Sequence, residues 1–195
     1  MNVVIIGQGW LAAETLQAVA ALAGVTVAAV SPEHSGDRFE EAATGLGVPV
    51  EPALDRLPAC EVMLAAHCHR FVPAAVRAKA WHGVLAYHPS LLPRHRGRDA
   101  IHWTLAMRDP IAGGTVYQMD DGADTGPLVA QAWCHVLPGD TPQSLWRRAL
   151  APMGVRLLTK AVQDLARHGT LPLEAQDERA ATWEPSLRRV ALREG

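Results

Sequence analysis

Val3-Val4-Ile5-Ile6-Gly7-Gln8-Gly9-Trp10-Leu11-Ala12 is the stretch on which the architecture turns. An apolar, β-branched run ends in a Gly-x-Gly turn, and residues 10–23 then carry helix formers until Gly24 stops them. This predicts strand, tight turn, helix. Outward from it, residues 25–30 form a second buried-strand candidate, followed by a turn at Pro32 and a helical stretch over 39–46. The opening therefore reads βαβα, the pattern of parallel strands covered by helices. Residues 61–66 and 83–87 continue the strands, with a short proline-opened helix over 73–80 between them. The fold class is α/β: a Rossmann-like, mostly parallel sheet with helices on both faces.

Further along, a helix is predicted over 99–107, and strand-like runs over 114–119 and 127–136 flank a Gly/Asp-rich loop. Thr141-Pro142 is a helix start, with threonine as N-cap and proline in the first turn. From there Leu145, Ala149, Met153, Leu157, Val162 and Leu165 recur at roughly helical spacing up to Gly169, with Pro152 expected to kink or split the helix. The chain divides into a domain over 1–169 and a polar extension over 170–195 that wraps the surface or frays.

The 195 residues suffice for one ordinary core. Lys plus Arg total 18 and Asp plus Glu total 20, with no block of one sign, so nucleic acid is not expected as a bulk partner. The 3 cysteines, Cys60, Cys68 and Cys134, suit neither a disulfide framework nor a paired-cysteine zinc site. No run reaches the ~18 apolar residues of a membrane span, and no leader stretch opens the sequence. The expectation is a cytoplasmic protein.

Several stretches are candidates for chemistry. Gly7-Gln8-Gly9-Trp10-Leu11-Ala12 fits the G-x-G-x-x-A dinucleotide turn, but Val30-Ser31-Pro32 ends the second strand without the acidic residue that holds a ribose, and Glu33 comes only after it. These glycines are therefore read as strand-to-helix packing. His67-Cys68-His69 could place two imidazoles on one side, yet no third ligand stands at a recognisable spacing, so no metal is expected. His88, His95 and His102 are evenly spaced, but Pro89 and Pro93 keep them off a common helix. His88 differs in kind: it is a titratable group where an apolar strand gives way to a proline-stiffened loop, the place where open α/β sheets hold ligands. Asp120-Asp121-Gly122-Ala123-Asp124 supplies carboxylates that can orient or charge-stabilise such an imidazole if the two loops meet.

His88-Pro89-Ser90-Leu91-Leu92-Pro93, the following Arg96-Gly97, and Asp124-Thr125-Gly126 resemble the motif pair of the folate-dependent formyltransferase family. Within it, the run from Tyr87 to Gly97, together with Asp120-Asp121-Gly122 and Ala181-Thr182-Trp183-Glu184, is most similar to the hydrolase domain of 10-formyltetrahydrofolate dehydrogenases. The resemblance is weak before residue 60 and strong from 83 to 131. It implies His88 and Asp124 as the catalytic pair, and His69, Arg70 and Phe71 with Asp120, Asp121, Gly122 and Ala123 as the residues around the pterin. It also implies 10-formyltetrahydrofolate as the formyl donor.

Formyltransferases of this family carry Asn two residues before the catalytic histidine, where this chain has Ala86. An amide there can donate to the oxyanion that forms as the formyl carbon becomes tetrahedral, and alanine cannot. The expected reaction is transfer of the formyl group to the amine of a small acceptor. Hydrolysis to formate and tetrahydrofolate is the alternative, and a catalytically silent folate- or nucleotide-sugar-binding protein a further one. The acceptor cannot be read from the sequence, and oligomeric state is left open, a homodimer included.

Overall fold

The computed structural model of the chain describes residues 1–187. In chain order it comprises β1 (Asn2–Gly7), α1 (Gly9–Ala20), β2 (Thr26–Pro32), α2 (Arg38–Gly45), β3 (Val62–Ala66), α3 (Ala74–Arg77), β4 (Val84–His88), α4 (Ala100–Ala106), β5 (Ile111–Gln118), β6 (Leu128–His135), α5 (Pro142–Leu145) and α6 (Ala151–His168). The strands form one 6-stranded sheet in the order β2-β1-β3-β4-β5-β6. The first four run parallel, as the βαβα opening requires. β5 and β6 are antiparallel to their neighbours. A parallel return would need a crossover of about a dozen residues or more, usually helical, and only the Gly/Asp loop joins β5 to β6.

Alternation along β1 builds two cores. Val3 and Ile5 join the cluster under α1, α2 and α6, while Val4 and Ile6 face the opposite cluster, closed by Val76 of α3 with Leu57, Cys60 and Val72. Side chains of successive strand residues point to opposite faces, so one continuous apolar run serves both layers. The helix predicted over 73–80 shortens to a single turn. Residues 79–81 are drawn instead into a bridge with Cys60, through Cys60 N–H to the Lys79 carbonyl at 2.9 Å and Trp81 N–H to the Cys60 carbonyl at 3.0 Å.

The expected long closing helix is split. Thr141 caps α5 in a reciprocal box with Ser144, residues 146–150 widen into a π turn, and α6 then runs to a left-handed Gly169 at φ 71. Pro152, lacking an N–H, stands just after the widened turn, as expected where the i→i−4 ladder must be broken. The Tyr87 hydroxyl donates to the Leu150 carbonyl of that turn at 2.7 Å. Gly154 is required nearby, because a Cβ there would stand 2.8 Å from the Tyr87 ring.

Asp37 ties two helix starts together. Its Oδ1 accepts the Phe39 and Glu40 N–H groups at 3.0 Å as the cap of α2, while Oδ2 accepts the Gly9 N–H at the start of α1 at 2.7 Å. Among the described residues no helix is long and apolar enough to cross a membrane.

Candidate active site

Strand order reverses between β1 and β3, and such switch points open a crevice beyond the carboxyl ends of the parallel strands. A cleft of about 1510 Å³ lies there. It is walled by the segment following β3 (His67 to Val72), by the end of β4 and the residue after it (His88, Pro89), and by the β5–β6 loop with Asp120 and Asp124. Drug-sized ligands occupy pockets of roughly 300–1,000 Å³, so this cleft has room for two reactants at once.

His88 is the last residue of β4, and it is buried, with 6% of its surface exposed. Its Nε2 lies 2.7 Å from the His95 carbonyl oxygen, which can only accept, so Nε2 carries the hydrogen. That contact assigns the tautomer and leaves Nδ1 as the nitrogen free to take a proton. Nδ1 faces Asp124 Oδ2 at 3.5 Å. The β5–β6 loop folds back over the sheet to bring Asp124 there, with Asp124 itself in the left-handed region at φ 57. Its carboxylate accepts the Gly97 N–H on Oδ2 at 2.8 Å and the Tyr117 hydroxyl on Oδ1 at 2.6 Å. The two segments that the sequence offered as partners thus meet.

Further residues complete this arrangement, and Gln176 among them escaped sequence reading. Gln176 donates its amide to the carbonyls of Asp124 and Gly126 at 2.9 and 2.7 Å, while its Oε1 accepts from Arg96 at 2.7 Å. Thr182 clamps the other loop, its hydroxyl accepting the His95 N–H at 2.8 Å and its N–H donating to the Pro93 carbonyl at 3.1 Å. The His95 ring is buried between two carboxylates, Nε2 to Asp109 Oδ2 at 2.8 Å and Nδ1 to Glu184 Oε1 at 3.0 Å. Each carboxylate oxygen can only accept, so each contact is a hydrogen bond when the ring nitrogen facing it carries hydrogen. Asp109 also accepts two bonds from Arg94, and these, with His95, hold its carboxyl below the usual range. The Ala181-Thr182-Trp183-Glu184 run was the only sequence signal for this buttress. Residues 170–187 therefore pack against both loops of the site, and 188–195 lie outside the described residues.

The residues expected around a pterin divide. His69, Arg70, Phe71, Asp120, Gly122 and Ala123 line the cleft. Phe71 is 76% exposed at its rim. The Arg70 guanidinium turns away to the Ser31 carbonyl and hydroxyl and the Pro52 carbonyl, while its buried Nε lacks a partner. Asp121 also faces outward, pairing with Arg77. Asp120 braces its own loop through the Gly122 N–H and the Thr125 hydroxyl. Glu33 stands where the sequence placed it, after β2, and accepts from the Gln8 amide and from the His69 and Arg70 N–H groups. His67 lines the cleft against Trp146, and burial, helped by His69, pushes its pKa below the ordinary imidazole value. Burial pushes the Cys68 thiol up to about 12, so it is no nucleophile at neutral pH. His102 lines the cleft edge-on to Trp103.

Residues 49–162 match the family model described as formyl transferase, and the chain belongs to that family. The mitochondrial 10-formyltetrahydrofolate dehydrogenase of Mus musculus is 47% identical over 124 residues, which are 64% of this chain and 13% of that protein. The chain thus spans a small part of such relatives. Among solved structures, glycinamide ribonucleotide transformylase 1 from Symbiobacterium toebii superposes with a TM-score of 0.78 at 26% identity, covering 91% of this chain and 94% of that one. An N-formyltransferase from Helicobacter canadensis, in complex with folinic acid and dTDP-3-aminofucose, gives 0.78 at 18% identity, covering 93% and 70%.

Proposed function

We propose that this chain takes the formyl group from 10-formyltetrahydrofolate and delivers it to the amine of a small acceptor, with His88 and Asp124 as the reacting pair. The observation that carries the reading is the junction of His88 Nδ1 with Asp124 Oδ2 inside a cleft large enough for donor and acceptor together. The proteins named above include a 10-formyltetrahydrofolate dehydrogenase, a transformylase and an N-formyltransferase in complex with folinic acid, which supports the donor.

The cleft's chemistry suits a flat heterocycle. Ala65, Ala86, Val72 and Met119 offer an apolar bed between two stretches of irregular backbone, whose N–H and carbonyl groups can read a pterin edge. Phe71 at the rim offers an aromatic face. The donor supplies the activated formyl carbon. The acceptor amine attacks that carbon, and the bond from it to the donor nitrogen breaks. His88 takes the proton released by the amine at Nδ1, its ring orientation set by the His95 carbonyl, Asp124 stabilises the imidazolium, and the proton then passes to the departing nitrogen so that tetrahydrofolate leaves neutral at that atom. The Gly97 amide and Tyr117 hydroxyl keep Asp124 in place for this. Residues 170–187 belong to this catalytic unit, since Gln176 and Thr182 fasten its two loops.

Water as acceptor is the second reading, and Ala86 favours it: no amide stands two residues before His88 to strengthen transfer. Purified protein mixed with 10-formyltetrahydrofolate, with and without candidate small amines, tests both. Formylated amine supports transfer, formate alone supports hydrolysis, and neither product overturns the proposal.

A further inference from the structure

Ala86 lies directly opposite Tyr117 in the antiparallel register of β4 and β5, and both belong to the same core cluster. Directly opposed strand residues hold their Cβ atoms about 4.5–5.5 Å apart on one face, so a small residue at 86 makes room for a ring at 117. Tyr117 is 5% exposed. Its hydroxyl reaches out of the core to Asp124 Oδ1 at 2.6 Å. Since Oδ1 is held there and Oδ2 receives the Gly97 N–H, the carboxylate can present only Oδ2 to His88 Nδ1. The phenol is an unfailing donor in this place: burial first, then the Asp124 charge and the hydrogen bond to it, hold its pKa well above the ordinary tyrosine value.

We propose that Tyr117 is a positioning residue for the formyl-transfer centre, fixing which oxygen of Asp124 faces His88. It does so from beside Ala86, its partner across the strand pair. This rests on the functional reading above. Tyr117 acts through Asp124 rather than on the formyl group, so its effect falls on turnover and not on donor binding. The other charged or titratable groups around Asp124 are His88 from β4, Arg96 from the loop after it, and Asp120 from its own loop.

The test is Tyr117→Phe, which removes the hydroxyl and keeps the ring against Ala86. kcat and KM for formyl release from 10-formyltetrahydrofolate are measured across pH, in the wild-type and Asp124→Asn backgrounds, with melting curves as the folding control. A hydrogen bond to a charged group is strong enough that kcat should fall about tenfold while KM stays within about twofold. In the Asp124→Asn background the same change should cost little further, since coupled residues do not add. A folded Tyr117→Phe protein with unchanged kcat would overturn the proposal, as would an equal loss in both backgrounds. A wild-type protein that yields neither formate nor formylated amine overturns the parent reading and this one together, which keeps the two failures distinct.

Discussion

Because the His95 carbonyl fixes the His88 ring, Nδ1 is the only nitrogen available for proton exchange, and Asp124 is its only facing carboxylate among the described residues. His88→Ala and Asp124→Ala should each lower kcat by about 10²–10⁴, the usual range for positioned acid–base groups, and the double variant should be little worse than either. Near-normal turnover by a folded His88→Ala protein would remove this centre from consideration. Ala86→Asn is expected to fail as a gain of function. Its side chain would be added beside Tyr117 at a position only 4% exposed, at an overpacking cost of about 1–3 kcal/mol, visible as a lowered melting temperature without a rise in kcat/KM for transfer. His88 and Asp124 were legible because their flanking residues form a compact motif. Tyr117 was not, since its role depends on a register that pairs it with Ala86, and Gln176 was not, since a lone glutamine in a polar extension carries no pattern.

At the scale of elements, the extension over 170–187 works as a strap across the loops after β4 and β5, and the buried His95 is its main fastening. Asp109 tests the electrostatic part of that fastening. Bonds from Arg94, assisted by His95, lower its folded pKa against opposing desolvation. A lowered carboxylate contributes stability that is present above its unfolded value of about 4 and is lost as pH falls through the folded one. Melting temperature should therefore drop as pH is taken below about 4, and Asp109→Asn should flatten that drop while lowering stability at neutral pH. An Asp109→Asn protein with the wild-type acid profile would show that the cluster does not couple to folding. The elements themselves were largely readable, because apolar runs and the Thr141-Pro142 cap are local signals. The strap was read only as a wrapping or fraying tail, since the contacts that fasten it, from Gln176, Thr182 and Glu184, reach across 50 to 89 positions of sequence.

For the molecule as a whole, a ligand that binds only the native state stabilises it by mass action. A reduced folate such as folinic acid, at about a hundredfold excess over Kd, should raise the melting temperature by about 5–10 °C. NAD at equal concentration should leave it unchanged, and stabilisation by NAD alone would restore the dinucleotide reading of Gly7 to Ala12. The α/β class and the parallel order followed from the sequence because each βα unit announces itself. Which loops share the cleft did not, because that depends on the strand order across the switch point.

Asp37 gives that contrast between ligands its structural root. Its carboxylate already sits on the first amide of α1, with Glu33 close by on Gln8, so the glycine turn has become an internal staple between two helices. An approaching pyrophosphate would meet a resident negative charge on the seat it needs. Nucleotide recognition at this turn is thus opposed by a resident anion as well as by the missing acidic ribose contact, and a designer wishing to open it would have to delete one charge and place another.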